Sequence, residues 1–389
     1  MAHAYILKAV RTPGCKAKRG KFSNVRPDHL ATLALKSLLE QTKVDPESVE
    51  DVILGCSFPE AEQGMNIGRM VALNSGLPYT VPGQTVNRFC SSGLQSISMA
   101  AERIMAGFAE CIVAGGAESM TMVPMGGNKF SSNPDLIAEW PEAYASMGIT
   151  AEKVAEQFDI SREDQDVFGL QSNTRALQAI ANGTFQEEIV PVTVERTRIV
   201  NDELVKENEV VDIDDGPRKT TLEKMAKLKS PFKAGGSVTA GNSSQMTDGA
   251  AVSLVVSEDY LNKLGQDPMA RFVAYDVKGV PPELMGIGPS EAIPGALSKA
   301  RMSLDDIGLF ELNEAFASQA LYCMRKLGID QEMANVNGGA IALGHPLGCT
   351  GAKLTTTLLH EMHRRDVHYG IVSMCIGGGM GAAGIFEKV

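Results

Sequence analysis

The amino-acid sequence predicts a layered α/β fold that consists of two similar halves and one long insertion. Short apolar runs alternate with amphipathic segments of helix length, which is typical of strands and helices that follow one another along the chain. The same succession of motifs occurs twice, and a segment of loops, helices and charged residues separates the two copies. Strands separated by helices of this length favour a largely parallel sheet, because parallel neighbours need a crossover connection.

Each element of this fold is predicted from a local pattern. Six short apolar runs have the length of strands, and they lie at residues 4–9, 52–56, 110–115, 251–257, 309–313 and 369–375. Five amphipathic segments have the length of helices, and they lie at residues 30–41, 92–107, 293–300, 315–327 and 351–365. Their apolar residues recur with the period that places them on one face of a helix.

Two Val-Asn pairs mark the internal repeat, one at residues 86–87 and the other 250 residues later at 336–337. Each pair precedes a helix that starts near a glycine, Gly93 or Gly351, and then an apolar strand that ends in glycines. We therefore expect an N-terminal half at residues 1–120, with a returning strand at about 250–270, and a C-terminal half at residues 271–389. The inserted loop domain is expected at residues 121–249.

The insertion is predicted to contain loops rich in Met and Gly at residues 120–127 and a helix pair at 150–158 and 162–182. A charged stretch at 195–215 has no regular pattern and is expected to be irregular. Residues 218–233 carry six Lys and Arg residues and a single Glu. In an acidic protein this basic segment could bind an anionic ligand, and a solvated helix face is the alternative.

Composition excludes several classes of protein. The chain has 389 residues, of which 44% are hydrophobic and 21% charged, so it has enough apolar material for a core. A net charge of −11 argues against nucleic acid as a partner. We expect no membrane span and no signal segment, because no long apolar run occurs and the first residues lack a basic-then-apolar pattern. Seven scattered cysteines favour reduced thiols and a cytoplasmic protein over a disulfide framework.

Two sites carry groups that are suited to nucleophilic chemistry. Cys90 stands just before a helix that begins with Ser and Gly, where the partial positive charge of the helix should lower the thiol pKa and free N–H groups could bind an oxyanion. His345 lies in a loop with glycines on both sides, which allows the backbone to approach a ligand closely. Taken alone, each residue also fits a structural role.

Two further motifs accompany them. Cys375 ends an apolar strand that leads into three consecutive glycines, whose N–H groups can form an anion nest. Asn313 stands at a strand-to-helix junction, where an N-cap is the structural alternative. Three other histidines, His360, His363 and His368, lack the spacing of a convincing ligand set, so we expect no metal.

Two thiols and one imidazole form a coherent chemical set. A thiol nucleophile needs a base, which His345 can supply to Cys90. A second thiol, Cys375, with a pKa near the ordinary value of about 8.5 suits proton transfer to and from carbon. Such a set serves attack on a carbonyl with an enolate as leaving group or nucleophile.

These four motifs together are similar to those of the thiolases, and within that family the sequence more closely resembles the degradative 3-ketoacyl-CoA thiolases (acetyl-CoA acyltransferases). The resemblance extends from the Arg11-Thr12-Pro13 motif to the last strand. It implies a five-layered α-β-α-β-α fold of two similar halves with an inserted loop domain. The implied activity is transfer of an acyl group from 3-ketoacyl-CoA to CoA with release of acetyl-CoA, in fatty acid β-oxidation.

The resemblance also implies catalytic roles. Cys90 would carry the acyl group as a thioester, and His345 would activate it. Cys375 would exchange the proton on the methyl carbon of acetyl-CoA. Asn313 would hold a water that forms an oxyanion hole together with His345, and the N–H groups of Cys90 and Gly377 would form a second hole.

For coenzyme A, which would be a co-substrate rather than a permanently bound cofactor, the resemblance implies five contacts. Ser244, within the segment at residues 239–244, would contact the pantetheine, and Arg218 would lie near the adenine nucleotide. Phe232, Met147 and Phe316 would line the pantetheine tunnel or the acyl pocket. The resemblance further implies a homodimer or homotetramer, or the thiolase subunit of a β-oxidation complex.

Several alternatives stay open from the sequence. A biosynthetic acetoacetyl-CoA thiolase that runs Claisen condensation is one, although Ser146 stands where those enzymes usually have His. A decarboxylating condensing enzyme is disfavoured, because Cys375 occupies the place where such enzymes have a His or Asn. A non-catalytic lipid-binding or interaction protein would be expected to lack one of the thiols or His345.

Overall fold

The computed structural model describes residues 2–200 and 203–389. The strands in this part of the chain are β1 (Ala4–Arg11), β2 (Cys15–Lys16), β3 (Asp51–Gly55), β4 (Gly83–Val86), β5 (Cys111–Ser119), β6 (Val192–Val200), β7 (Glu203–Val211), β8 (Thr247–Ser257), β9 (Ala270–Gly279), β10 (Leu309–Leu312), β11 (Tyr369–Ile376) and β12 (Met380–Lys388). The helices are α1 (Pro27–Thr42), α2 (Ile67–Asn74), α3 (Ser92–Met105), α4 (Pro134–Glu139), α5 (Met147–Gln157), α6 (Arg162–Ala181), α7 (Leu222–Ala226), α8 (Glu258–Leu264), α9 (Gly288–Ala300), α10 (Ala317–Leu327), α11 (Ala340–Leu343) and α12 (Leu347–Arg365). The six strands and five helices predicted from the sequence all occur, with shifted ends.

Strand order confirms that the fold consists of two similar halves. The order is β4-β3-β5-β8-β1 in the first half and β10-β11-β12-β9 in the second, where the bridge between Phe310 and Ala334 takes the place of β4. Equivalent pairs run in the same sense: β3–β5 and β10–β11 are parallel, whereas β5–β8 and β11–β12 are antiparallel. The two halves join where β1 pairs with β9 at Tyr5–Arg271 and Ile6–Ala270.

The two central helices, α3 and α12, pack against each other at the two glycines that marked the repeat. A Cβ at Gly351 would lie 2.3 Å from the backbone nitrogen of Leu94, and a Cβ at Gly93 would lie 2.6 Å from that of Ala352. Any side chain at either position would therefore force the helices apart. Apolar residues of both halves of the sheet and of both helices form one buried cluster around this contact.

Two outer layers complete the architecture. On the first half, Leu30 and Leu35 of α1 pack in a cluster with Val113 and other residues of the sheet face opposite α3. On the second half, Ile293 of α9 and Leu321 of α10 do the same. The layers are therefore α-β-α-β-α, as predicted.

The prediction of a largely parallel sheet is wrong. Parallel pairing occurs in β3–β4, β3–β5 and β10–β11, whereas β8, β9, β12 and β1 pair with antiparallel neighbours. The reason for the β11–β12 pair is the short turn between its strands, which reverses the chain through Gly378 and Gly379, both with φ of +82°. A turn of this length can join only antiparallel strands.

The segment between β5 and β8 contains α4 to α7 and the hairpin of β6 and β7. The expectation of irregular structure at residues 195–215 is therefore wrong for residues 195–200 and 203–211, whereas residues 212–215 lie in no strand or helix, and residues 201 and 202 lie outside the described residues. Oppositely charged cross-strand pairs stabilise this hairpin, because Lys206 bonds Glu195 at 2.8 Å and Arg196 bonds Glu209. Among residues 2–200 and 203–389, no helix combines the length and the apolar character needed to cross a membrane.

Candidate active site

A cavity of about 350 Å³ lies at the N-terminal ends of the two central helices, where Cys90 precedes α3 and Leu347 begins α12, and the inserted segment forms much of its wall. Its wall is largely apolar, and the catalytic candidates Cys90, His345 and Cys375 all open onto it. The first and last of these residues are 285 positions apart in the sequence. The fold thus brings the two thiols and the imidazole of the repeat halves to one place.

Cys90 lies in a single 3₁₀ turn, Phe89–Ser91, directly before α3. Phe89 has a φ of +42°, so the backbone is strained immediately before the thiol. Burial raises the pKa of the Cys90 thiol to about 12, although the backbone N–H groups of Gly377 and of Cys90 itself act to lower it. The expectation that the helix start lowers this pKa is wrong, because loss of hydration outweighs the two donors.

His345 follows α11 and is fixed at both ring nitrogens. Its Nδ1 lies 2.5 Å from the Thr350 hydroxyl, and its Nε2 lies 3.4 Å from Asn313 Nδ2. Its backbone N–H donates to the carbonyl of Gln245 at 2.8 Å. Burial, with a smaller contribution from the charge of Lys353, lowers the imidazole pKa to about 3. The ring is therefore neutral at physiological pH and can accept a proton.

Asn313 is fully buried at the end of β10, where its N–H donates to the carbonyl of Ser373 at 2.8 Å. It is not an N-cap, because α10 begins four residues later with Phe316 as its cap residue. The Oδ1 atom of Asn313 has no hydrogen-bond partner among the described residues. A buried, unpaired acceptor beside the imidazole is a place where a bound water or substrate group would be stabilised.

Cys375 lies near the end of β11 and is fully buried. Burial, and then the nearby Cys90 thiol, raise its pKa well above the ordinary value. The expectation of an unperturbed pKa is wrong for the same reason as for Cys90. Two neutral thiols beside one neutral imidazole can move a proton among themselves without placing a lasting charge in the apolar cavity.

The residues expected to contact coenzyme A fall into two places. Ser244, Met147, Phe232 and Phe316 line the same cavity as the thiols, whereas Arg218 does not. Arg218 lines an adjacent depression of about 190 Å³, and Ala240 borders both spaces. This depression also contains Lys224, so part of the basic segment faces it.

The cavity wall depends on one glycine. A Cβ at Gly148 would lie 2.2 Å from the ring of Phe232, which is perpendicular to the ring of Phe316, with ring centres 6.3 Å apart. Phe232 is 39% exposed, so the ring stands at the cavity mouth.

Sequence reasoning did not identify several residues of the site. Thr350, which bonds the imidazole, and Lys353 are ordinary helix residues in the sequence and carry no local signal. Met125, Met246 and Met285, which line the cavity, look like common core or surface methionines. Only the fold places them there.

His360, His363 and His368 make contacts outside the cavity. His360 lies against the carbonyl of Ala9 and His363 against that of Met269, while His368 pairs with Glu387. Within the part of the chain that the structure describes, no group of three or more His, Cys, Asp or Glu side chains could hold a metal ion.

Comparison with known proteins places this site in a family. The model of the thiolase N-terminal domain matches residues 4–259, and that of the thiolase C-terminal domain matches residues 266–388. The chain belongs to the thiolase family. Its catalytic candidates are divided between the two thiolase domains, with Cys90 in the first and Asn313, His345 and Cys375 in the second.

Relatives within the thiolase family match the whole chain. A 3-ketoacyl-CoA thiolase of Bacillus subtilis is 53% identical over 389 residues, which is 100% of both chains. The peroxisomal 3-ketoacyl-CoA thiolase B of Mus musculus is 48% identical and covers 98% of this chain and 90% of its own length. Crystal structures of Bacillus anthracis acetyl-CoA acetyltransferase and human mitochondrial 3-ketoacyl-CoA thiolase each give a TM-score of 0.90, at 41% and 39% identity, over 100% of this chain and 99% of theirs.

Proposed function

We propose that this thiolase cleaves 3-ketoacyl-CoA with coenzyme A, releasing acetyl-CoA and an acyl-CoA shortened by two carbons. The observation that carries the proposal is that Cys90, His345 and Cys375 open onto one apolar cavity. Relatives that match the full chain at 45–53% identity and are named 3-ketoacyl-CoA thiolase support the same activity. As an acyltransferase of the degradative type, it would act in fatty acid β-oxidation.

In the first half-reaction, the imidazole Nε2 of His345 accepts the proton of Cys90 as the sulfur attacks the 3-keto carbon. The bond between C2 and C3 then breaks, and the acyl group stays on Cys90 as a thioester. The electron pair leaves on the enolate of acetyl-CoA. Cys375 donates its proton to C2 of that enolate and becomes a thiolate.

In the second half-reaction, the Cys375 thiolate accepts the proton of the coenzyme A thiol, whose sulfur attacks the acyl-thioester. Cys90 leaves as a thiolate and recovers its proton from the His345 imidazolium. Both cysteines and the imidazole return to their neutral forms, which are the forms that burial favours in this cavity.

Two sets of donors would bind the negative oxygens that develop. The N–H groups of Cys90 and Gly377 act to lower the pKa of the Cys90 thiol, which supports a position for them beside the carbon that the sulfur would attack. His345 and a water held by Asn313 would stabilise the enolate oxygen, and the unpaired Oδ1 of Asn313 is a suitable acceptor for that water.

Coenzyme A would enter past Phe232, with its pantetheine along Ser244, Met147 and Phe316. Its nucleotide phosphates would lie in the depression beside Arg218, where Lys224 adds positive charge. The coenzyme is a co-substrate, and the proposed mechanism needs no permanently bound cofactor.

A biosynthetic acetoacetyl-CoA thiolase is not favoured. The relatives from Bacillus subtilis and Mus musculus are named 3-ketoacyl-CoA thiolase, although the structure from Bacillus anthracis carries the name acetyl-CoA acetyltransferase. Ser146, which lines the cavity, provides no second imidazole there.

The test is a thiolysis assay with a series of 3-ketoacyl-CoA chain lengths. We expect turnover on substrates longer than acetoacetyl-CoA and formation of an acyl-thioester on Cys90, mapped by mass spectrometry. Turnover restricted to acetoacetyl-CoA would favour the biosynthetic enzyme, and an absence of thiolysis in folded protein would overturn the proposal.

We also propose the domain boundaries and the oligomeric state. The N-terminal thiolase half would comprise residues 1–120, with a returning strand at about 250–270. The C-terminal half would comprise residues 271–389, and residues 121–249 would form the loop domain. The edge strand β4 and the exposed side chains of Met65 and Tyr79, at 86% and 80% exposure, support assembly into a homodimer or homotetramer. Light scattering after gel filtration tests this, and co-purification with a hydratase or dehydrogenase subunit would indicate a β-oxidation complex instead.

A cytoplasmic location is proposed because all seven cysteines are free and buried, which suits a reducing compartment. Relatives include bacterial and peroxisomal proteins, so fractionation of the native cell is the appropriate test.

A further inference from the structure

The buried carboxylate of Glu118 connects the two segments that carry Cys90 and His345. Glu118 belongs to β5, and its side chain is fully buried. Its Oε2 atom accepts hydrogen bonds from the backbone N–H groups of Ser57 and Gly348, both at 2.7 Å. Ser57 lies in the N-terminal thiolase domain and Gly348 in the C-terminal one, so a single oxygen atom joins the two domains beside the cavity.

On the His345 side, the carboxylate holds the first turn of α12. Gly348 is the second residue of this helix, so its N–H group has no partner within the helix and Glu118 caps it. The capped residue lies between His345 and Thr350, whose hydroxyl is 2.5 Å from the imidazole Nδ1. A Cβ at Gly348 would lie 2.6 Å from Glu118 Oε2 and 2.6 Å from the Cα atom of Cys56. The start of α12 is therefore packed directly against the carboxylate.

On the Cys90 side, the connection continues through Ser57 to Asn87. The side-chain amide of Asn87 donates to the carbonyl of Ser57 at 2.9 Å, and its Oδ1 atom accepts from the N–H group of Phe89 at 2.8 Å. Phe89 is the residue whose φ of +42° strains the backbone before the thiol. Asn87 thus stabilises an unfavourable conformation, and the segment that Glu118 holds fixes the place of Asn87.

The second oxygen of Glu118 is bound as well. Oε1 accepts from Gln63 Nε2 at 2.7 Å and from the backbone N–H group of Phe58 at 3.3 Å, and the Cys56 sulfur lies 3.7 Å away. A carboxylate buried this deeply is costly unless hydrogen bonds compensate for its lost hydration. Donors from three separate segments meet this requirement, so the carboxylate organises its surroundings rather than filling space.

We propose that Glu118 is a positioning residue that sets the separation of the Cys90 sulfur and the His345 imidazole. One end of its hydrogen-bond network fixes the first turn of α12 and hence the ring, and the other end fixes the turn before α3 and hence the thiol. The proposal rests on the function proposed above, in which His345 accepts the proton of Cys90. Glu118 acts through Gly348 and Asn87, not by contact with the substrate.

Two variants break the network at different points. Glu118→Gln keeps the shape of the side chain, but its NH₂ group meets two N–H donors in either orientation. Asn87→Ala removes the hydrogen bond to Phe89 at an exposed position, where folding is least affected. Asp51→Asn is the matched control, because Asp51 is also buried and its ion pair with Arg103, at 2.8 Å, holds the opposite end of α3. Circular dichroism and thermal melting identify the variants that fold.

The first readout is steady-state thiolysis with a 3-ketoacyl-CoA. We expect kcat to fall about tenfold to a hundredfold in Glu118→Gln and Asn87→Ala, because misplaced reacting groups slow the chemical step. KM for coenzyme A should stay within about twofold of wild type, since the network leaves Ser244 and Phe232 in place. Asp51→Asn should match wild type in both constants. A merely structural role for Glu118, which loosens the whole site, predicts that KM rises as kcat falls.

The second readout needs no thiolase activity, so it distinguishes failure of this inference from failure of the proposed function. Iodoacetamide alkylates a cysteine faster when a neighbouring base accepts the thiol proton, and mass spectrometry follows the reaction at Cys90. We expect His345→Asn and Glu118→Gln each to slow this alkylation. The double variant should be no slower than His345→Asn alone, because the two changes remove the same interaction.

The outcomes of this cycle are distinct. A wild-type rate in His345→Asn would contradict the proposed base and, with it, the positioning role. Slow alkylation in His345→Asn beside a wild-type rate in Glu118→Gln, or effects that multiply in the double variant, would overturn the positioning role alone. Burial and, more weakly, the charge of Glu118 raise the pKa of the Cys90 thiol, so a role through charge alone predicts faster alkylation in Glu118→Gln. If Glu118→Gln does not fold, Asn87→Ala takes its place in the cycle with the same expected outcomes, and failure of both variants to fold would overturn the proposal.

Discussion

The Nδ1 atom of His345 lies 2.5 Å from the hydroxyl of Thr350, five residues later at the start of α12. Asn313 Nδ2 lies on the opposite side of the ring, 3.4 Å from Nε2. If the amide donates to Nε2, the ring proton is on Nδ1 and is donated to Thr350. In this tautomer Nε2 carries no proton and its lone pair accepts from the Asn313 amide, so Nε2 is the ring nitrogen that can act as the general base once that hydrogen bond is released.

Thr350→Val should therefore slow acylation of Cys90 by about tenfold to a hundredfold, since a misaligned ring costs rate out of proportion to its displacement. Thr350→Ser keeps the hydroxyl and should retain most of the activity. Burst kinetics with a 3-ketoacyl-CoA measure both. Loss of activity in Thr350→Ser with retention in Thr350→Val would show that the methyl group, rather than the hydroxyl, matters.

Cys90→Ser should abolish turnover. The hydroxyl is far harder to ionise than a thiol, and the burial that raises the pKa of Cys90 to about 12 would act against an alkoxide as well. Mass spectrometry of wild-type protein mixed with acyl-CoA should place the acyl group on Cys90. An acyl group on Cys375 would reverse the two roles.

His345→Ala should reduce kcat by more than about 10³, because it removes both the base and one donor to the enolate oxygen. Steady-state thiolysis measures the loss, and a thermal melt confirms that the variant folds. Retention of a tenth of wild-type activity would exclude His345 from the catalytic site.

Cys375→Ala should distinguish the roles of the two thiols. It should still be acylated at Cys90 but should fail to exchange the methyl protons of acetyl-CoA with deuterated water, which needs an acid–base group facing that carbon. NMR follows the exchange, and a thermal melt reports any loss of stability. A Cys375 that only fills space predicts nearly normal exchange and a loss of about 1 kcal/mol.

The thiols, the imidazole and the doubled fold could be predicted from the sequence because short local motifs reveal each of them. Gly93 and Gly351, which mark the repeat, are also the residues at which the central helices touch. The close contact between the helices therefore explains why the motif contains glycine. The pKa values could not be predicted in the same way. Whether the helix start or burial dominates at Cys90 depends on how deeply the fold encloses it.

The strand β12 was missed for a different physical reason. Its first half is rich in Gly and Ala and lacks the β-branched residues that signal a strand. A Cβ at Gly381 would lie 2.0 Å from the backbone of Gly288, so packing of α9 on the sheet excludes larger residues there. The tertiary contact thus removes the local pattern that would have revealed the strand.

Gly148→Ala should raise KM for the acyl-CoA about tenfold, because the added methyl group would collide with Phe232 and displace it from the cavity mouth. Gly279→Ala is the control, since a Cβ there meets nothing within 4 Å. Steady-state kinetics with one 3-ketoacyl-CoA compare the two. An unchanged KM in Gly148→Ala would mean that Phe232 does not contact the substrate.

Acid should destabilise the wild-type protein more steeply than His345→Asn. Burial lowers the His345 pKa from its ordinary 6.5 to about 3. Between these values the unfolded chain binds more protons than the folded one, so the free energy of unfolding rises with pH, by up to about 1.4 kcal/mol per pH unit. This stability is present above the unfolded pKa and is lost as the pH falls below it. His345→Asn lacks the titrating group.

Asp248 contributes with the opposite sign, because burial raises its pKa to about 6 and its stabilising effect is lost as the pH rises through that value. Both proteins contain Asp248, so its contribution cancels in their difference. Urea unfolding of wild type and His345→Asn between about pH 4.5 and about pH 7 measures that difference. The difference in free energy of unfolding should become smaller as the pH falls, because wild type loses the stability that the neutral His345 provides. A difference that is constant across this range would mean that His345 titrates alike in the folded and unfolded chains, and the neutral buried imidazole on which the mechanism depends would be wrong.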